Sequence, residues 1–451
     1  MKDKNSLREF ITDNSCTLRD AMILISNNKQ GLIFVVDNEK VIGVVTDGDI
    51  RRFLLKGNEV NSPVTNCMMS NFSYVVEGYQ REEVIKLLDY KIHSIPVLDP
   101  QGRLVDVVNR GYSFQDNQLI SRAKTPARIS LAGGGTDFTK YFMDEGGAGL
   151  SCTIAKYSHA VLRKRSDHMI KIYSHDFKQH VEIKSINDIQ YDGKLDLIKA
   201  GIKLLEPDYG FELEIGCDFP PESGLGGSAS LLSSVIGCLN EFRENRLDRY
   251  AIAEYAFEAE RIELEISGGW QDQYSTVFGG FNFLEFDRNH NVVMPLRIES
   301  NNISEFEERL ILCHTKQKHL GKTIQNDNAK KESFSNNKKH STTRLKNITS
   351  EMKRALLRSR YHEFAVLLEE TWSIKKEIDP RVTNEKINKI HSIALDAGAL
   401  GGRLLGTGGG GYFLFCVPPF CRYSVMEALE QIGLHPEGVV IDNKGLKSWK
   451  I

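Results

Sequence analysis

Three glycine-rich clusters and two carboxylates carry residue types that could bind an anion or hydroxyl groups and handle a proton. The first cluster, Thr125 to Asp137, reads TPARISLAGGGTD. A short strand around Arg128 runs into Gly133, Gly134 and Gly135, then Thr136 and Asp137. Glycines let a backbone approach a ligand where a Cβ would clash. A carboxylate just after them can accept hydrogen bonds from sugar hydroxyls, although a glycine turn closed by Thr-Asp also starts ordinary helices. The second cluster, Pro220 to Ser230, reads PPESGLGGSAS and precedes a helical pattern with Leu231, Leu232, Val235, Ile236 and Leu239 on one side. Such a loop is either an anion site, because free N–H groups and the helix dipole face the ligand, or a tight capping turn. No Gly-Lys-Ser/Thr follows, so it is not a Walker A loop, and its glycine spacing is not that of a dinucleotide fingerprint. Ser228 lies where a hydroxyl could reach a metal-bound phosphate. The third cluster, Gly401 to Gly411, reads GGRLLGTGGGG and leads into a strand over Tyr412–Val417. Four consecutive glycines are entropically unfavourable. They mark close approach to a ligand or another loop, or else a flexible hairpin connection.

Glu260 falls in a helical stretch over Arg249–Ile266, on its mostly apolar side. A carboxylate there must be paired, hydrogen-bonded or metal-bound. Glu263 shares that side, so position alone does not choose between them. Asp272 lies in Gly268 to Tyr274 (GGWQDQY), between Gln271 and Gln273. It is placed to bind or deprotonate a hydroxyl, or to cap a helix.

The elements that must position these residues belong to a long chain. Its 451 residues imply more than one domain. With 58 Lys+Arg against 60 Asp+Glu, the net charge of −2 argues against a nucleic-acid coat. Apolar runs such as Gly31–Val36 are too short to span a bilayer. No apolar signal region follows the first residues, and we expect a cytoplasmic protein. The eight cysteines, Cys16, Cys67, Cys152, Cys217, Cys238, Cys313, Cys416 and Cys421, contain no CxxC pair and read as reduced thiols. The fold expected is α+β throughout, with a linker over 117–121, a first catalytic lobe over 122–299 and a second over 300–451. The Lys-rich stretch 316–346 reads as a mobile lid or a solvated helix surface.

Residues 1–116 contain a repeat. LIFVVDNEKVIGVVTDGDI ends at Ile50 and SIPVLDPQGRLVDVVNRGY ends at Tyr112, each after an amphipathic helix, over Leu18–Asn27 and Arg81–Tyr90. This pattern resembles a tandem pair of CBS domains. The resemblance implies two β-α-β-β-α units whose clefts often bind adenine nucleotides and which often mediate homo-oligomers. Thr46 and Asp49 match the nucleotide positions of that family, while Asn109 and Tyr112 replace them in the second copy, so one competent cleft is expected at most. Thr46 as a helix N-cap is the structural alternative.

Residues from about 120 to 451 resemble the GHMP kinase superfamily (galactokinase, homoserine, mevalonate and phosphomevalonate kinases). All three clusters stand in that family's order. Within it, the stretch ending at Asp137, Gly269–Tyr274 with Phe278–Asn282, and Asp396–Leu405 with its glycine run look most like the D-glycero-D-manno-heptose 7-phosphate 1-kinases. Trp372–Lys375 is also similar to that subfamily. The resemblance implies that Pro221, Ser223, Gly224, Leu225, Gly226, Gly227, Ser228, Ala229 and Ser230 surround the ATP phosphates. Ser228 and Glu260 would hold Mg²⁺. Asp272 would orient or deprotonate the acceptor hydroxyl, and Arg128 would stabilise the transferring phosphoryl or tune Asp272. Gly133, Gly134, Gly135, Thr136, Asp137, Gln271, Gln273, Gly408, Gly409 and Gly410 would line the sugar. The reaction implied converts heptose 7-phosphate and ATP to the 1,7-bisphosphate and ADP.

Two features depart from the family. Gly227 replaces a serine common in the second cluster, and His319 stands near the place where the subfamily carries an arginine after Thr315. Lys156, Arg163, Lys316 and Lys318 are candidates for the substrate phosphate. A kinase for another, fucose-like sugar and a catalytically weak nucleotide sensor are the competing readings.

Overall fold

The computed structural model describes residues 7–89, 92–109, 119–317 and 336–451. They divide into two compact units, Met1–Asn117 and Gln118–Ile451.

In the first unit, β1 (Ile11–Asp13), α1 (Leu18–Asn28), β2 (Leu32–Asp37), β3 (Lys40–Thr46) and α2 (Asp47–Leu55) form the first repeat. Asn38 and Glu39 both take positive φ between β2 and β3, which suits a two-residue hairpin. The strand β1 runs parallel to β2, and β2 antiparallel to β3. Leu18, Ala21 and Ile25 form one face of α1 and pack with Ile33, Val35 and Val45. The second repeat, β4 (Val75–Val76), α3 (Arg81–Asp89), β5 (Ser94–Leu98) and β6 (Leu104–Asn109), has the same pairing. Tyr90 and Tyr112 lie outside the described residues.

The second unit is built on two long antiparallel strands, β7 (Ile120–Ala132) and β8 (Gly147–Lys164), joined through the short helix α4 (Thr139–Glu145). The strands β9 (Ile170–Ser174) and β10 (Gln179–Ile183) follow, then α5 (Asp196–Leu205), β11 (Phe211–Cys217), α6 (Gly227–Asn240), α7 (Arg249–Phe257) and α8 (Gln271–Phe278). The free edge of β8 pairs with β11 at one end and with β12 (Phe281–Phe286) at the other, and β13 (Asn291–Pro295) extends the sheet. The helices α5, α6, α7 and α8 cover one apolar face, where Leu162, Leu213, Ile202, Leu232, Ile236 and Val277 meet. After α9 (Ser300–Arg309) and β14 (Leu310–His314), the helices α10 (Asn336–Leu357) and α11 (Tyr361–Ile378) cover the other face. The chain then forms α12 (Glu385–Asp396), β15 (Gly401–Leu404), β16 (Tyr412–Cys416), α13 (Arg422–Gln431) and β17 (Pro436–Gly438), the second sheet running β15-β16-β14-β17.

Two expected boundaries change. Ile120 and Ser121, assigned to the linker, are strand residues, and the Ser121 hydroxyl donates to the carbonyl of Cys238 at 2.9 Å. The stretch 300–451 is not one lobe either. Its strand β18 (Lys447–Lys450) returns to pair with Lys124–Ser121 of β7 in the first sheet. The helix expected over 249–266 is α-helical only to Phe257, and a π-helical turn over Glu258–Glu263 follows it. All eight cysteines are free thiols. Among the described residues no helix is long and apolar enough to cross a membrane.

Candidate active site

The strand β7 carries Arg128 inward, leaving 6% of its side chain exposed. Its guanidinium grips Asp272 in a fork, Nε to Oδ1 at 2.8 Å and Nη2 to Oδ2 at 2.7 Å, and its Nη1 donates to the carbonyl of Gly224 at 2.6 Å. Asp272 is the second residue of α8, whose preceding residue Trp270 supplies no side-chain cap. The free N–H groups of that first turn therefore favour a negative charge there. Burial pushes the Asp272 carboxyl up, but the charge and hydrogen bonds of Arg128 and the charge of Arg261 outweigh it, so the group titrates below its ordinary value.

Asp137 closes the first glycine cluster beside this pair. Its Oδ1 accepts the N–H of Gly135 at 3.0 Å and its Oδ2 that of Gln271 at 3.1 Å. A Cβ at Gly269 would lie 1.9 Å from Asp137 Oδ2, so only glycine fits against this carboxylate. Burial raises the Asp137 pKa, and the negative charge of Asp272 raises it further. The Thr136 hydroxyl latches the loop to β8 through Ala148 rather than capping a helix.

Gln271 and Gln273, expected to line the sugar, are instead buried supports. The Oε1 of Gln271 accepts from Ser130 at 3.0 Å, at 2% residue exposure. Gln273 is fully buried, and its Nε2 donates to Glu260 Oε2 at 2.9 Å. The π-helical turn separates the two glutamates that an ideal helix would place together. Glu260 is 5% exposed and lies 3.3 Å from Arg261, whereas Glu263 accepts from Lys203 and Tyr191 on the outer side.

In the second cluster, Ser223, Leu225, Ala229 and Ser230 are buried. The hydroxyl of Ser230 lies 2.6 Å from that of Ser158 inside the core, so this residue offers no side chain to a nucleotide. Pro221 and Ser228 are exposed, Gly226 precedes α6 in the left-handed region, and Gly227 and Ser228 are the first two residues of that helix. The third cluster lies directly against the second. The N–H of Tyr412 donates to the carbonyl of Ser223 at 3.0 Å, and a Cβ at Gly224 would come 2.7 Å from the carbonyl oxygen of Leu405. Gly408, Gly409 and Gly410 are buried, and the N–H of Gly409 donates to the carbonyl of Val382 at 2.7 Å.

Two cations that the motif reading did not assign stand beneath these loops. Lys375 of α11 donates to the carbonyl of Gly406, and Arg403 of β15 donates to that of Leu131 at 3.0 Å. Burial lowers the Lys375 pKa well below its usual value, helped by the charges of Arg403 and Arg128. The same two causes, burial and then Arg128, bring Arg403 down to about 10. The cations expected to take a substrate phosphate are engaged elsewhere. Lys156 pairs with Glu437, Arg163 with Glu212, and Lys316 donates to the carbonyl of Gly433. Lys318 and His319 lie outside the described residues.

The donors available to a divalent cation are hard oxygens. The Gln273 Oε1 is buried without a partner beside the Glu260 carboxylate, and Ser228 offers an exposed hydroxyl. This set suits Mg²⁺, which keeps most of its shell as water and phosphate oxygens. Among the described residues no three His, Cys, Asp or Glu side chains group as a metal site of their own. In the first unit, Thr46 and Asp49 form a capping box at α2, and Asp49 also pairs with Arg52 at 2.6 Å.

Comparison with known proteins gives this arrangement its family. Residues 196–280 match the GHMP kinase N-terminal domain and residues 352–419 the GHMP kinase C-terminal domain, while residues 10–56 and 64–111 match CBS domains. The D-glycero-alpha-D-manno-heptose 7-phosphate kinase of Campylobacter jejuni is 37% identical over 337 residues, covering 73% of this chain and 99% of that protein. The chain belongs to the GHMP kinase family. It is an ATP-dependent sugar kinase preceded by a CBS pair, with an α+β fold. A D-glycero-D-manno-heptose 1-phosphate kinase structure from Bacteroides thetaiotaomicron matches this GHMP kinase with 28% identity and a TM-score of 0.62, over 73% of this chain and 99% of that one. The L-fucokinase/L-fucose-1-P guanylyltransferase of Bacteroides fragilis is 27% identical over 71% of this chain, but only 37% of that protein is covered. Lactococcus lactis galactokinase complexed with galactose shares the fold, with 22% identity and a TM-score of 0.60, over 75% of this chain and 97% of that one.

Proposed function

We propose that this kinase transfers the γ-phosphoryl group of ATP to the anomeric hydroxyl of D-glycero-D-manno-heptose 7-phosphate. The observation that carries the reading is the Arg128–Asp272 fork at the meeting point of all three glycine clusters. Asp272 accepts a hydrogen bond from the acceptor hydroxyl and takes its proton as the oxygen bonds to phosphorus and the bond to ADP breaks. An anomeric hydroxyl is more acidic than an ordinary alcohol, so a carboxylate of low basicity suffices. Arg128 holds that carboxylate and adds positive field beside the transferring group. Asp137 and the backbone of Gly133–Gly135 bind sugar hydroxyls. The backbone of Gly224–Gly227 and the start of α6 face the nucleotide phosphates. Ser228 and Glu260 would hold Mg²⁺, which would supply positive charge against the nucleotide phosphates.

The sugar is supported by the 37% identity to a heptose 7-phosphate kinase. A fucose-like acceptor is the second reading, supported by the weaker match to the L-fucokinase. ADP release over a panel of mannose, fucose, heptose and heptose 7-phosphate separates them, with selectivity for the heptose phosphate expected. The Asp272→Asn variant should keep ATP binding and lose about 10²–10⁴-fold in kcat. Near-normal turnover would remove Asp272 from the mechanism.

The CBS pair belongs to the same reading as a regulatory module for an adenine nucleotide and as the contact of a homo-oligomer. Exposed apolar side chains on its helices, Met22, Ile23 and Ile85, support the second role. A nucleotide ribose would displace Thr46 from Asp49. The Thr46→Ala/Asp49→Ala variant should then lose any adenine-nucleotide response while basal activity stays, and an unchanged response would place the sensor elsewhere. ATP use and reduced thiols fit a cytoplasmic setting.

A further inference from the structure

Three cations, Arg128, Lys375 and Arg403, each hold a carbonyl of a glycine loop or of the strand leading into one, and among the described residues only Arg128 has a carboxylate partner. Arg128 is paired with Asp272 at 2.7 Å. Among the described residues, neither Lys375 nor Arg403 has a carboxylate within ion-pair distance; each leans on a peptide carbonyl, Gly406 for the lysine and Leu131 for the arginine. Arg403 is 2% exposed, and its Nε is a buried donor with no partner. A peptide carbonyl supplies only a partial charge, whereas a desolvated cation needs a full one. The protein supplies no such group at this place.

Their position says what does. Gly406 begins the glycine run of the third cluster, and its N–H nitrogen would be 3.2 Å from a Cβ at Gly224, whose carbonyl Arg128 holds. Leu131 precedes Gly133 of the first cluster by two residues. Lys375 and Arg403 therefore stand where the nucleotide loop and the sugar loop come together. Their chemistry is complementary: a mobile point charge, and a planar fork suited to two oxygens of one phosphate.

We propose that Lys375 and Arg403, together with Arg128, form a binding site for a phosphate oxyanion, either the acceptor's own phosphate or the transferring phosphoryl group. The identity of those two phosphates rests on the sugar-kinase reading above; the anion site itself does not. In this role Lys375 determines how tightly, or how fast, a phosphorylated ligand is handled, and its carbonyl contact keeps it poised before the ligand arrives.

Inorganic phosphate is the probe, titrated into the full-length protein by calorimetry without turnover. The wild type is expected to bind it, and Lys375→Met to bind it about tenfold or more weakly, with Lys375→Arg restoring most of the affinity. Equal phosphate affinity in Lys375→Met, or no binding by the wild type, would overturn the proposal. If Lys375→Met does not fold, Arg403→Lys, which keeps the charge and removes the fork, reads the same loss. Repeating the titration with a saturating non-hydrolysable ATP analogue distinguishes the sources. Phosphate binding that persists assigns the site to the acceptor phosphate, and Lys375→Met then raises KM for heptose 7-phosphate but not for unphosphorylated heptose. Binding abolished by the analogue assigns it to the transferring group, and kcat then falls with every acceptor. A protein that binds phosphate through Lys375 yet phosphorylates no sugar in the panel refutes the substrate reading and leaves the anion site standing.

Discussion

Asp272 is kept ionised by its neighbours, and this fixes the pH behaviour expected of catalysis. Burial alone would raise its pKa, but Arg128 and Arg261 bring it below the ordinary value, which for aspartate is about 3.9. The acid limb of kcat/KM set by this group should therefore lie below that pH, and the stability its pairing gives is lost only as pH falls through the depressed value. Arg128→Met leaves burial opposed by Arg261 alone, so the acid limb should move upward. A pH–rate profile of the variant checks this, and an unshifted limb would detach Arg128 from Asp272. Arg128 and Asp137 stood out in the sequence because they belong to a glycine cluster, and Asp272 because it follows Gly268 and Gly269 between two glutamines. Lys375 was visible only as part of a stretch similar to one subfamily. A lysine on a helix is ordinarily solvated, and its burial here comes from a loop 31 residues away. The burial of Gln271 and Gln273 escaped for the converse reason: flanking a candidate base in sequence does not decide on which side of the helix a side chain is buried.

The elements explain why some assignments could not be read at all. The apolar pattern over 249–266 is helical, and a pattern cannot show that hydrogen bonding widens by one residue at Glu258–Glu263. Yet that turn buries Glu260 and leaves Glu263 to Lys203. Deleting one residue from the turn should restore an α-helix, rotate Glu260 by about 100° and weaken Mg-ATP use, measurable as a raised KM for Mg-ATP. Contact between the second and third clusters makes a similar demand. Gly224 has φ +80 and no room for a Cβ against Leu405. Gly224→Ala should cost about 1–2 kcal/mol in backbone strain alone and separate the loops, lowering the melting temperature and raising KM for ATP together. In the first unit, loss of the α2 cap through Thr46→Ala should cost about 1 kcal/mol, read as a lower midpoint for that unit with kinase kinetics unchanged.

On the scale of the whole molecule the two units have separate cores. The heptose phosphate kinase of Campylobacter jejuni is matched over 99% of its length by 73% of this chain. A chain beginning at Gln118 should therefore fold, keep basal sugar-kinase kinetics and lose any response to adenine nucleotides. Calorimetry should show two unfolding transitions in the full protein and one in the shortened chain. The division itself was legible, because a repeat of helix, strand and hairpin stands before three clusters of another kind. The course of β18 was not, since four residues alternating Lys, Ser, Trp and Lys carry little strand signal without their partner. That partner, Ser121–Lys124 of β7, is more than 320 residues away in sequence. So distant a closure is entropically slow to find, and until it is made the outer row of N–H and C=O groups on β7 stands open as a template for any passing strand. For a newly made or refolding chain, the short strand near residue 450 thus serves as an edge guard, whose late docking sets the interval in which the protein can aggregate.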